Sequence, residues 1–75
     1  MKKPIEPEIT EQERKLFKMI LLASDILIQD WAELNNYRPQ FIRQVLINDR
    51  RSNYARLLIR NYIKDNSHKL TEILD

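Results

Sequence analysis

The amino-acid sequence predicts an all-α domain of four to five short helices. Apolar residues recur three and four positions apart in successive segments, the spacing of one face of a 3.6-residue helix. Those segments are bracketed by residues that start or stop helices. With 75 residues, 43% of them hydrophobic and 32% charged, the chain has the length of one domain and the composition of a soluble globular protein.

Residues 1–9 contain Pro4 and Pro7 and show no periodicity, so they read as an extended, mobile arm. The first helix starts at Thr10, which forms a capping box with Glu13; Glu11 and Glu13 suit the positive helix end. Leu16, Phe17, Ile20 and Leu21 supply its apolar face, and it ends near Ala23 or Ser24. A second helix carries Trp31, Ala32 and Leu34 and stops at Asn35-Asn36, because asparagine best replaces glycine in a left-handed turn. Arg38-Pro39 restarts the chain, since proline suits the first helical position, and Phe41, Ile42, Val45 and Leu46 follow at helical spacing. Residues 48–53 form a polar loop in which Ser52 or Asn53 caps a fourth helix running to about Lys64. Its stripe is Ala55, Leu58, Ile59, Tyr62 and Ile63, while Arg56, Arg60 and Lys64 make a basic ridge opposite. The expected organisation is thus an arm over 1–9, a domain over 10–66, and a short C-terminal helix or tail over 67–75.

Composition excludes several classes of chemistry. Cysteine and glycine are absent and His68 is the single histidine, which removes disulfides, thiolate nucleophiles, the usual zinc fingers and Gly-rich phosphate loops. No cofactor or metal is expected, and no enzyme: His68 with Asp65 and Glu72 falls in a loop and tail and reads as solvated. The longest apolar run, Met19 to Ala23, is too short to cross a bilayer, and Lys2 and Lys3 have no apolar stretch behind them, so the expected compartment is the cytoplasm. A basic amphipathic helix at a membrane surface would use the face of Tyr54 to Ile63, which serves better as core.

The net charge of +2 conceals a segregation. Residues 37–64 hold Arg38, Arg43, Arg50, Arg51, Arg56, Arg60 and Lys64 against Asp49 alone, whereas both flanks are acidic. A solvated helix face is one reading of such a block. Arginine's fit to phosphates and guanine edges makes a polyanion the other, and the near absence of compensating carboxylates favours it.

Residues 28–51 read IQDWAELNNYRPQFIRQVLINDRR. Small Ala32 suits the close crossing of two helices, with Trp31, Ile42 and Val45 filling the wedge; Asn36 supplies the positive φ of a tight turn. Arg38, Gln40, Arg43 and Gln44 are left facing outward. This unit resembles the helix-turn-helix of the Cro and repressor superfamily, with Ala32, Asn36, Tyr37, Ile42 and Val45 filling the motif's slots in order. It is most similar to small helix-turn-helix DNA-binding proteins of Mu-like phages, through Trp31, Ala32, Tyr37, Pro39, Val45 and Leu46. Where that pattern has a capping serine, a turn glycine and a second glycine, this chain has Arg38, Asn36 and Asn48. Ile28 holds the slot of a phosphate-binding glutamine, leaving Gln29 as the substitute.

The resemblance implies a sequence-specific double-stranded DNA-binding regulator, repressor-like, of phage or mobile-element type. Arg38, Gln40, Arg43 and Gln44 would read bases, and Gln29, Arg50, Arg51, Asn53 and Arg56 would hold phosphates. A chain this small buries only roughly 60% of its unfolded surface and offers a small contact to DNA, so a homodimer is expected. Tyr54, Leu57, Leu70, Ile73 and Leu74 exceed the needs of one core and are its candidate contact; packing within the monomer is their other use. The alternative function is a protein-interaction module, an antirepressor or inhibitor, using the same fold.

Overall fold

The computed structural model describes residues 5–70 and contains no strand among them. Helix α1 spans Glu11–Ala23, α2 Ile28–Leu34, α3 Pro39–Leu46 and α4 Asn53–Asn66. After Ser67 a further helical turn begins at His68, with the Leu70 amide donating to the Ser67 carbonyl at 3.1 Å. Ile73 and Leu74, assigned above to a subunit contact, lie outside the described residues. No helix among the described residues is long and apolar enough to cross a membrane.

Local chemistry sets the helix starts. The Thr10 hydroxyl accepts from the Glu13 amide at 3.1 Å while the Glu13 carboxylate accepts from the Thr10 amide at 3.0 Å, completing the capping box. Ser52 caps α4 by accepting from the Ala55 amide at 3.2 Å. Pro39 opens α3, where its missing amide costs nothing.

The helix stops solve a problem that a glycine-free chain poses. Among the described residues three take positive φ, Asp25 at 57°, Asn36 at 64° and Asn48 at 64°, each just past the end of a helix. Each reversal is closed by backbone bonds to carbonyls of the preceding helix: Ile26 N to Leu21 O at 2.9 Å, Tyr37 N to Ala32 O at 2.8 Å, and Asp49 N to Gln44 O at 2.8 Å. Asn36 and Asn48 were expected in this role from the sequence, and Asp25 was not. Aspartate and asparagine tolerate the left-handed region better than other side chains.

The core draws on every helix. Phe17 and Leu21 of α1, Trp31 and Ala32 of α2, Ile42, Val45 and Leu46 of α3, and Ala55 and Ile59 of α4 are buried in one cluster. Phe17, Trp31 and Tyr62 meet edge to face, with ring centroids 4.9 to 5.7 Å apart. Ala32 has no solvent exposure, and no larger side chain would fit between α2 and α3 without pushing them apart. Truncating Phe17 or Ile42 to alanine would cost about 3–5 and 2–5 kcal/mol respectively, much of what a small domain has.

Two sequence expectations require correction. The described part of the arm carries no helix or strand, and it is docked on the body rather than mobile. Ile9 keeps only 2% of its surface exposed, and both polar groups of its backbone bond to the Asn48 side chain at 2.8 Å. The basic ridge of α4 does not form either. Arg56 is buried, donating to the Glu6 carbonyl at 3.0 Å, and Arg60 is drawn to Glu13, Glu6 and the Glu8 carbonyl, so only Lys64 of the three is exposed. The four-residue spacing of these cations is present, but it does not reveal that the arm covers that face. Helix α4 also runs two residues beyond Lys64, to Asn66.

Candidate nucleic-acid interface

Four residues, Asn35 to Arg38, join α2 to α3. The turn is held by Asn36 in the left-handed region, by the bond from Tyr37 N to Ala32 O, and by the Asn35 side chain donating to the Trp31 carbonyl at 2.8 Å. Tyr37 stacks on Phe41 with centroids 5.3 Å apart and rings 18° from parallel, fixing the first turn of α3. Burial of Tyr37 pushes its phenol pKa up, and nearby Tyr54 adds to the effect.

With Ile42, Val45 and Leu46 anchored in the core, α3 turns its polar residues to solvent. Arg38, Gln40 and Arg43 are exposed and Gln44 is half-buried. Arg38, Gln40, Phe41, Gln44 and Arg50 share one concavity of about 240 Å³. Within it the Arg50 Nε donates to the Gln44 Oε1 at 3.2 Å, linking the end of α3 to the loop behind it. Arg43 lies on the other flank, where with Lys18 and Gln29 it borders a cleft of about 340 Å³ between α1, α2 and α3. Among the described residues, Arg38, Arg43, Arg50 and Arg51 form no ion pair. Guanidinium groups without carboxylate partners keep donors for an incoming acceptor, Arg50 all but the Nε that it gives to Gln44.

The residues expected to hold phosphates divide. Gln29, Arg50 and Arg51 are exposed. Asn53 is half-buried and its Oδ1 already accepts from the Glu6 amide at 3.1 Å. Arg56, 4% exposed with its guanidinium on the Glu6 carbonyl, is a structural residue and cannot meet a phosphate. Of the expected subunit contacts, Tyr54 and Leu57 are exposed, at 70% and 45%, and Leu70 is half-buried.

Lys18 is the residue that sequence reasoning missed. It is exposed on α1 and lines both the 340 Å³ cleft and a second one of about 260 Å³, in each case beside Arg43. Arg14, one turn earlier, donates from Nε to the Leu46 carbonyl at 3.1 Å and so fixes α1 against the end of α3. The four-residue spacing of Arg14 and Lys18 was visible in the sequence. Their position against α3 was not, because it depends on tertiary packing.

A different electrostatic cluster holds the back of the molecule. The Arg60 guanidinium forks onto the Glu13 carboxylate at 2.7 and 3.1 Å, and its third nitrogen lies 3.6 Å from Glu6. The hydrogen bond from Arg60 holds the Glu13 carboxyl below the usual carboxylate range, partly offset by burial and assisted by Thr10. That same bond raises the Arg60 pKa against the cost of burial, which keeps the pair charged.

No family model matches the chain, and neither does any curated protein or any solved structure.

Proposed function

We propose that this chain is a sequence-specific double-stranded DNA-binding regulator of transcription, repressor-like and acting in the cytoplasm, of the kind that phages and mobile elements carry. The observation that carries the reading is the outward face of α3. Gln40, Arg43 and Gln44 project from one helix and Arg38 from the residue that precedes it, and these arginines have no carboxylate partner among the described residues. A helix of this width fits the major groove. There Gln40 has the donor and acceptor pair that adenine N7 and N6 require, Gln44 has it once its Oε1 releases the Arg50 Nε, and Arg38 and Arg43 have the fork that guanine O6 and N7 accept. Arg50 and Arg51 behind the helix, and Gln29 and Lys18 beside it, supply phosphate contacts on either flank. A homodimer would place two copies of α3 one helical turn apart, with exposed Tyr54 and Leu57 as the contact. Bound at a promoter, such a dimer represses by occupying the polymerase's site.

Selection of bound fragments from random duplexes tests ligand class, preference and half-site spacing together. Enrichment of a repeat with a spacing near ten base pairs is expected; recovery of unselected sequence overturns the reading. Exposed Tyr54 also supports a second reading, in which the chain is a protein-interaction module. That reading expects charge reversal at Arg43 and Arg50 to leave partner binding intact.

A further inference from the structure

We infer that segment 6–9, ahead of α1, positions the loop after α3, and that Asn48 is the positioning residue through which it acts. This segment has no strand partner. Its backbone is satisfied by side chains instead: Ile9 N donates to Asn48 Oδ1 and Asn48 Nδ2 donates to Ile9 O, both at 2.8 Å, while Glu6 N donates to Asn53 Oδ1 at 3.1 Å. Asn48 opens the loop and Asn53 begins α4. One short segment therefore ties both ends of the stretch that carries Arg50 and Arg51.

The segment is itself fixed from the other side. Ile9 is buried in the core, Arg56 donates to the Glu6 carbonyl at 3.0 Å, and Arg60 donates to the Glu8 carbonyl at 2.8 Å. Toward α3, the amides of Asp49 and Arg50 both donate to the Gln44 carbonyl, at 2.8 and 3.2 Å. The loop is thus held by α3 at its start and by the segment at both ends. Ordering it in the free protein removes an entropy cost that Arg50 and Arg51 would otherwise meet on binding an anion.

Asn48 combines two separable roles. Its backbone takes φ of 64°, which glycine would adopt with less strain, so conformation alone does not call for a side chain here. The side chain is used by Ile9. Asparagine serves both the turn and the anchor, where glycine would serve the turn alone.

Asn48→Gly in the full chain separates those roles, since it keeps the turn and removes both bonds to Ile9. Native-state amide exchange at Ile9, Asp49 and Arg50, whose amides are hydrogen-bonded, is expected to quicken roughly tenfold, while the interior of α1 keeps its protection. Glu6→Pro, which removes the amide given to Asn53, is a second variant, and there the quickened exchange is expected at Ala55, whose amide donates to Ser52 at the far end of the loop. The DNA arm rests on the function proposed above. On a selected duplex, Asn48→Gly should weaken binding about three- to tenfold and leave the salt slope unchanged, because every cation is retained. Wild-type exchange at the loop amides in both variants overturns the inference, whatever the affinity. If the unmodified chain binds no duplex, the proposed function falls and the exchange measurement still decides the role of Asn48.

Discussion

The arginines of α3 and its following loop stand in solvent, whereas those of α4 are bound to the molecule's own carbonyls and carboxylates. Arg43 and Arg50 form no ion pair among the described residues; six and ten positions beyond Arg50, Arg56 is buried and Arg60 is forked onto Glu13. Both sets belong to one basic stretch, and Arg56 and Arg60 have the four-residue spacing that reads as a solvated ridge. What separates them is cover. The segment ahead of α1 presents its Glu6 and Glu8 carbonyls to α4, so those guanidinium groups become part of the fold. Nothing among the described residues covers the outer face of α3. A charge run in a sequence therefore counts cations without saying how many remain for a partner.

Stability gives the sharpest test of that division. Arg60→Ala removes the donors to Glu13 and to the Glu8 carbonyl together, and its expected cost is about 2–3 kcal/mol in a urea titration. Arg43→Ala and Arg50→Ala are expected to stay within about 0.5 kcal/mol of the parent, as exposed positions usually do. Equal losses at all three positions would erase the distinction between the two regions.

Binding should sort the same residues in reverse. On the proposed reading, Arg43→Ala lowers discrimination at one base pair by about 1–3 kcal/mol, measured by competition between single-substituted duplexes. Arg50→Ala weakens every duplex by a similar factor and flattens the plot of log affinity against log salt by about one. Lys18→Ala is expected to behave as Arg50→Ala does, and a changed sequence preference in that variant would move Lys18 out of the phosphate-holding role.

The features that the sequence revealed are those decided within a few residues. Thr10 with Glu13, Asn36 and Pro39 act on their own turn of chain, and Ala32 was recognisable because a small residue between apolar neighbours fits one place in a helix pair. The outward face of α3 followed from the same periodicity. The fate of Arg56 was hidden because its acceptor, the Glu6 carbonyl, lies 50 positions away and belongs to a segment without periodicity. Lys18 was hidden for a related reason: its place beside Arg43 depends on how α1 leans on α3, and no local pattern encodes that lean. The turn at Asp25 escaped notice because aspartate is a less usual left-handed residue than asparagine.

Acid offers the gentlest way to loosen one region and spare the other. Glu13 accepts from Arg60 and from the Thr10 amide, and the first of these does most to hold its carboxyl below the ordinary range. A carboxyl whose folded pKa is depressed contributes stability that is complete above its unfolded value, near 4.3, and is lost as pH falls through the folded value. Urea midpoints measured downward from pH 6 should therefore fall below about pH 4.5, and the fall should be shallower in Glu13→Gln, which has no proton to take up there. The glutamine variant should also be less stable than the parent at pH 7, where the parent carboxylate still meets a charged guanidinium, and the two should converge in acid. Parallel curves across the whole range would mean that Glu13 and Arg60 are neighbours without being coupled, and the arginines of α4 would then differ from those of α3 in position alone.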